Sequence, residues 1–177
     1  MSAFAIEHRA ALSGKIPLIS TSVTLRALPE GHVLHVLSAN AHDDLSGKIR
    51  AAFGAEAFAV RIVSPGQWFV VGDEPVSAAA LANIVQKLKP HADVIDQSHG
   101  RVGIAIAGPK AAFVLAKGTA ADLALNTFPA GHATTTLMGH IATHITRISQ
   151  DGFELMVLRS FAESLWDQLA ELSAEYP

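Results

Sequence analysis

One order of elements, strand–helix–hairpin–helix, is written twice in this chain, and each copy turns on a tight hairpin signal. In the first copy, Val33 to Leu37 reads as a short apolar strand interrupted by His35. Asp43 and Asp44 suit a helix start, where free backbone N–H groups need acceptors. Leu45, Ile49, Ala52 and Phe53 recur at helical spacing, and Gly54 is placed to stop that helix. Phe58, Val60 and Ile62 alternate as a strand, Ser64-Pro65-Gly66 turns, and Trp68 to Val71 returns. Asp73 or Glu74 can cap the next helix, with Pro75 in its first turn, a buried stripe of Leu81, Ile84, Val85 and Leu88, and Pro90 ending it.

The second copy begins at about Asp93. Val102, Ile104 and Ile106 form its strand. Gly108-Pro109 opens a helix carrying Phe113, Val114 and Leu115, closed by Gly118. A longer connection runs to about Thr135. Ile141, Thr143 and Ile145 form the next strand, Asp151-Gly152 is a strong hairpin signal, and Phe153, Leu155 and Val157 return. Ser160-Phe161-Ala162-Glu163 has the form of a capping box, followed by Phe161, Leu165, Leu169 and Leu172 on one helix face. Val33 and Trp68 are 35 residues apart and Val102 and Phe153 are 51 apart, so the second copy is the longer.

This pattern predicts an α+β fold of two pseudo-repeated ferredoxin-like β-α-β-β-α units with mainly antiparallel sheet. The two units can share one sheet with helices on one face. Two adjacent units of a common element order would look the same; the matched turn positions favour a true duplication. Ile19, Thr21, Val23 and Leu25 alternate with polar residues as an extended strand ahead of the first copy. The expected divisions are an N-terminal extended arm over 1–32, a first half over 33–92 and a second half over 93–177, all within one domain.

Composition excludes several classes. There is no cysteine, so disulfides, thiolate metal sites and cysteine nucleophiles are ruled out. Net charge is −3 and no basic run occurs, so the footprint of a nucleic-acid binder is missing. No apolar stretch approaches the ~18 residues of a membrane span, and no signal-peptide pattern is present, which predicts a cytoplasmic protein. Half the residues are hydrophobic and only 16% are charged. That permits a sizeable core and is a hint of surface reserved for a partner.

Few patterns in the chain carry chemistry. Both Ser-Gly-Lys triplets, Ser13 to Lys15 and Ser46 to Lys48, fail the phosphate-loop pattern because its first glycine and its hydroxyl residue are missing. No Gly-x-Gly-x-x-Gly, Gly-x-Ser-x-Gly or His-Glu-x-x-His occurs. His140 and His144 lie on an expected strand, where four residues span about 13 Å, too far for one metal ion. They read as polar residues on the solvent side of a half-buried strand, and no metal site is expected. The best titratable cluster is the junction between halves, where Asp93, Asp96 and His99 are pocket candidates alongside His91; a solvated loop accounts for them equally well. No catalytic residue is assigned. Arg159 and Trp166 are interface candidates: an arginine fork can hold a partner's carboxylate, and a tryptophan can anchor an interface, with a local ion pair to Asp151 or Glu163 and core packing as the plainer alternatives.

Several segments of the second half carry a family resemblance. They are Gly108-Pro109-Lys110-Ala111, Leu115-Ala116-Lys117-Gly118, Asp122-Leu123, Phe128-Pro129-Ala130-Gly131 and above all Leu158-Arg159-Ser160-Phe161-Ala162-Glu163-Ser164-Leu165-Trp166. Together they resemble the gamma subunits of heterotetrameric sarcosine oxidases, with a weaker likeness to glycine cleavage aminomethyltransferases of the same fold. The resemblance implies a cytoplasmic heterotetramer that oxidatively demethylates sarcosine to glycine, passing the one-carbon unit to tetrahydrofolate. It implies alpha, beta and delta partner subunits. FAD, FMN, NAD, tetrahydrofolate and zinc are implied in those partners, with no cofactor bound by this chain. A non-catalytic assembly subunit is therefore the expectation. The alternatives are a stand-alone folate or one-carbon binding protein, aminomethyltransferase-like, and a scaffold subunit of another amine-oxidising complex.

Overall fold

Among the described residues, ten strands form two antiparallel sheets that face each other, with four α-helices on the outside. The structure is a computed structural model and describes residues 9–54 and 58–176. In chain order the elements are β1 (Leu18–Ile19), β2 (Thr24–Ala27), β3 (His32–Ser38), α1 (Ser46–Phe53), β4 (Ala59–Ser64), β5 (Gln67–Gly72), α2 (Ala78–Leu88), β6 (Ala92–Asp96), β7 (Arg101–Ala107), α3 (Ala111–Ala116), β8 (Ala133–Met138), β9 (Ile141–Ser149), β10 (Gly152–Leu158) and α4 (Ala162–Ser173). A single 3₁₀ turn, Arg159–Phe161, leads into α4.

The first sheet runs β4-β5-β3-β6 and the second β1-β2-β7-β10-β9-β8. The expected single shared sheet is thus corrected to two. Period two explains why. On β3 and β5 the residues Leu34, Val36, Trp68 and Val70 enter one core with Ile49 and Phe53 of α1 and Ile84 and Leu88 of α2. On β7 and β10 the residues Val102, Ile104, Phe153 and Leu155 enter a second core with Val114 and Leu115 of α3 and Leu165 and Leu169 of α4. Each sheet spends one apolar face on its own helices. The opposite faces carry mixed side chains and meet each other.

The duplication holds, with one strand supplied from outside the second copy. In the first half β6 pairs with β3 and closes the order 4-1-3-2 of a ferredoxin-like unit. In the second half the equivalent place beside β7 is taken by β2, from the N-terminal segment. Of the expected arm over 1–32, residues 9–32 therefore include an integral strand of the second sheet, and residues 1–8 lie outside the described residues. Because β6 pairs with β3, the boundary between halves falls after Asp96 rather than after residue 92.

Other expectations shift locally. The strand expected over 19–25 is broken by a turn in which the Ser20 hydroxyl accepts from the N–H of Val23. α2 starts after Ser77, whose side chain accepts from Ala80 N–H, so Pro75 precedes the helix. Asp44 accepts from Ser46 N–H without capping α1 through its cap position. The long connection after Gly118 contains the strand β8, paired with β9. The Ser160 box does not form: the 3₁₀ turn moves the cap position of α4 to Phe161, which places Glu163 too early to reach back.

Candidate functional site

The facing sides of the two sheets are built from three rows of side chains. Across the first sheet the ladder aligns His35, Phe69 and Arg61. Across the second it aligns Gly103, Met156 and His144, and beside them Ala105, Glu154 and Thr146. The rows interlock. Arg61 reaches Glu154 at 2.6 Å and 3.0 Å. His144 Nε2 lies 2.8 Å from the carbonyl oxygen of Ile62 on β4 and its ring meets Phe69 edge-on, centroids 5.4 Å apart. The guanidinium of Arg101 stacks on the other side of this network, 4.6 Å from the Phe69 ring centroid. Gln97 ties Arg101 to His35: its side-chain oxygen accepts from Arg101 Nε, and its amide nitrogen lies 3.4 Å from His35 Nδ1. His35 Nε2 meets the side-chain oxygen of Gln67 at 3.2 Å.

Burial sets the electrostatics of this layer. Desolvation lowers the pKa of His144, reinforced by the positive charges of Arg101 and Arg61 and only partly offset by the bond to the Ile62 carbonyl. Desolvation also lowers His35, with Arg101 acting the same way against the hydrogen bond that its ring donates to Gln67. Both imidazoles are therefore held neutral beside two guanidinium groups. Desolvation lowers Arg101 as well, though it stays charged at any physiological pH.

Between the sheets lies a cavity of about 290 Å³. It sits where the chain crosses from one sheet to the other: the Leu28–Gly31 link joins β2 to β3, and the 97–100 link joins β6 to β7. Gly31 is there by necessity, because a Cβ at that position would fall 2.1 Å from the carbonyl oxygen of Gly72. Arg61, Arg101, His144 and Glu154 line the cavity, with Val33, Val71 and Met156 as apolar wall.

The expected site residues lie outside it. Asp93 is exposed on β6 and paired with Lys89. Asp96 and His99 line a shallow surface notch with Gln97, Gly100 and Leu158, and Arg101 is the residue shared with the cavity. Both hydrogen bonds from Ser98 go to Asp96 Oδ1, at 2.9 Å from N–H and 2.5 Å from the hydroxyl. Desolvation pushes that carboxyl's pKa up, but these two bonds, helped by His99 and His32 nearby, outweigh it and hold the carboxyl below its usual value. Trp166 is 4% exposed and packs in the second core, so it anchors the interior of this chain and not a partner's surface. Arg159 is bound within the chain, to Glu30 at 2.8 Å and to the Arg9 carbonyl at 2.7 Å, rather than to Asp151 or Glu163. His144, expected on a solvent-facing side, is 3% exposed. Among the described residues no group of three His, Asp or Glu side chains is arranged to hold a metal ion. No helix among them is long and apolar enough to cross a membrane.

A two-sheet fold of paired ferredoxin-like units with a cavity between the sheets defines an aminomethyltransferase-like α+β protein. The family described as GCVT N-terminal domain matches residues 55–176, and the chain belongs to it. Among solved structures, a chain of the heterotetrameric sarcosine oxidase from Corynebacterium sp. U-96, in complex with pyrrole 2-carboxylate, is similar at a TM-score of 0.81 and 22% identity, over 96% of both chains. The glycine cleavage system aminomethyltransferase T from Bartonella henselae superposes at a TM-score of 0.61 and 17% identity, over 84% of this chain and 45% of that one. The aspartate kinase of Clostridium acetobutylicum matches at 0.54 and 9% identity, over 86% of this chain and 34% of that one. A comparison with curated proteins by sequence gives no match.

Proposed function

We propose that this chain is a gamma-type subunit of a sarcosine oxidase complex, acting in assembly of an enzyme that demethylates sarcosine oxidatively. The observation that carries the reading is the likeness to one chain of a heterotetrameric sarcosine oxidase: the two chains cover each other over 96% of their lengths, so the likeness is not confined to one shared domain of that chain. The surface supports it. Ile16 is 86% exposed, Ile19 82%, Phe113 59% and Leu137 55%, apolar area of the kind that a partner covers. In this reading alpha, beta and delta subunits hold the flavins, NAD, folate and zinc, and this chain holds none. The glycine cleavage likeness favours a second reading, a folate or one-carbon binding protein acting alone, in which the intersheet cavity would be the place to look.

Purification from the native host under mild conditions separates the two. The subunit reading expects a yellow assembly that contains this chain and forms peroxide when given sarcosine. Recovery of a folded monomer without flavin absorbance, together with saturable folate binding, would sink it. An assembly that oxidises other amines but not sarcosine would leave the scaffold role and overturn the substrate.

A further inference from the structure

We propose that the intersheet cavity is a binding site for a small carboxylate, received by the guanidinium of Arg101. The charges lining the cavity leave Arg101 as its one uncompensated interior ion. Arg61 is neutralised by Glu154, and Glu30 is engaged by Arg159. Asp73 and Glu74 are exposed at the mouth. Arg101 itself is half-buried and pairs with no carboxylate among the described residues.

Arg101 is nonetheless held in a fixed pose. Its Nε is taken by Gln97 and its flat face by Phe69, which leaves the two terminal nitrogens without a hydrogen bond to any described residue. A planar fork with its rear nitrogen and its face already engaged is preorganised for a planar, two-oxygen acceptor, and a carboxylate has that geometry. Burying a cation without a partner is costly, and an incoming anion offsets that cost.

Size and charge narrow the class. A volume of about 290 Å³ lies at the small end of ligand pockets, room for a small molecule of about ten heavy atoms or fewer. Val33, Val71 and Met156 suit a short apolar remainder. With His144 and His35 kept neutral, the site offers one positive charge, and the acidic side chains at the mouth disfavour a second negative one. A monocarboxylate fits better than a phosphate dianion. This site does not depend on the subunit reading, because it is built entirely within one chain.

The test uses the full chain with sodium acetate and sodium propionate as probes, and sodium chloride and inorganic phosphate at matched ionic strength as comparisons. Thermal midpoints and histidine NMR titrations are the readouts. Propionate or acetate should raise the midpoint saturably and raise the apparent pKa of His144, since a bound anion beside Arg101 favours imidazolium. Chloride should do neither. Arg101→Gln should weaken the effect about tenfold or more, and Arg101→Lys should weaken it less, keeping the charge but losing the fork. Val71→Phe fills the cavity from the opposite sheet while leaving Arg101 in place, and should abolish binding even if Arg101→Gln does not fold. No saturable response of the wild-type chain, an undiminished response in Arg101→Gln or Val71→Phe, or an equal response to phosphate would overturn the proposal.

Discussion

Arg61 on β4 and Glu154 on β10 pair across the interior, with the Arg61 Nη2 at 2.6 Å and Nε at 3.0 Å from the same carboxylate oxygen. The two residues are 93 positions apart and belong to different halves, so the pair fastens one sheet to the other. Both side chains are mostly buried, 18% and 24% exposed, which leaves either charge expensive once its partner is gone. Arg61→Met and Glu154→Gln should each destabilise the fold by about 1–3 kcal/mol. The double variant should cost clearly less than the sum. Denaturant melts of the four proteins check this, and strict additivity would mean that the pair does not join the halves.

His144 makes stability pH-dependent. Its pKa is lowered in the folded chain by desolvation and by nearby guanidinium charges, and His35 is shifted the same way. The unfolded chain therefore takes up protons at a pH where the folded chain resists them. The stability tied to neutral imidazole is complete above the unfolded value of about 6.5 and is lost as the pH falls from there through the lower folded values. The slope is at most about 1.4 kcal/mol per pH unit for each histidine. His144→Gln keeps a donor for the Ile62 carbonyl and removes one titration, so its stability should fall less steeply between about pH 6.5 and 5. An unchanged slope in urea melts across that range would count against the assignment.

Glu30 holds the N-terminal segment from two directions. Its Oε1 accepts from the Ala11 N–H at 2.7 Å and its Oε2 from Arg159 at 2.8 Å, while Arg159 also donates to the Arg9 carbonyl. Arg159→Ala removes one clamp and leaves the cores intact. Limited proteolysis should then cut faster near Lys15, with a thermal midpoint shifted by only a few degrees, because the pair is partly exposed and contributes about 1 kcal/mol.

Among the described residues Arg147 is the most deeply buried arginine, 2% exposed. Its terminal nitrogens donate to the carbonyls of Leu123 and Gln150, and the guanidinium lies 4.3 Å from the Phe153 ring centroid. It thereby joins the hairpin turn to the loop that follows α3. Arg147→Met keeps the stem and orphans two carbonyl groups, a cost of about 2–4 kcal/mol. Hydrogen exchange should accelerate first around residues 121–131, ahead of β10.

The turns were the legible part of the sequence. Pro65-Gly66 and Asp151-Gly152 lie at hairpins β4–β5 and β9–β10, since tight turns demand particular residues locally. The edge strands were not legible. β6 buries little beyond Ala92 and half of Val94, and β8 is rich in threonine, so neither shows a clear apolar alternation. β2 alternates well, but nothing local tells a strand which half it will join. The cavity residues were missed for a related reason. Period two shows that Arg101, Gly103 and Ala105 share a face; it does not show that a second sheet covers that face. Asp93, Asp96 and His99 drew notice as a charged cluster close in sequence, whereas Arg61, Arg101, His144 and Glu154 are brought together only by the packing of two sheets.

Gly108 is where three segments converge, and it permits a test of close packing against backbone strain. Its N–H donates to the Asp151 carbonyl in the β9–β10 turn, its own carbonyl accepts from Ala111 at the start of α3, and the Lys110 N–H reaches the Ser22 carbonyl in the N-terminal segment. Its φ is +121°, and a Cβ would lie 2.5 Å from the Ser22 carbonyl oxygen. Gly131 also has a positive φ, +90°, but a Cβ there would meet nothing within 4 Å. Gly131→Ala therefore carries backbone strain alone, about 1 kcal/mol. Gly108→Ala adds a collision between two backbones, which cannot relax by rotating a side chain, and should cost at least about 2–3 kcal/mol. Equal losses for the two variants in denaturant melts would show that β2 is not packed tightly on the β7–α3 turn, and the integration of the N-terminal segment into the second sheet would lose its main steric argument.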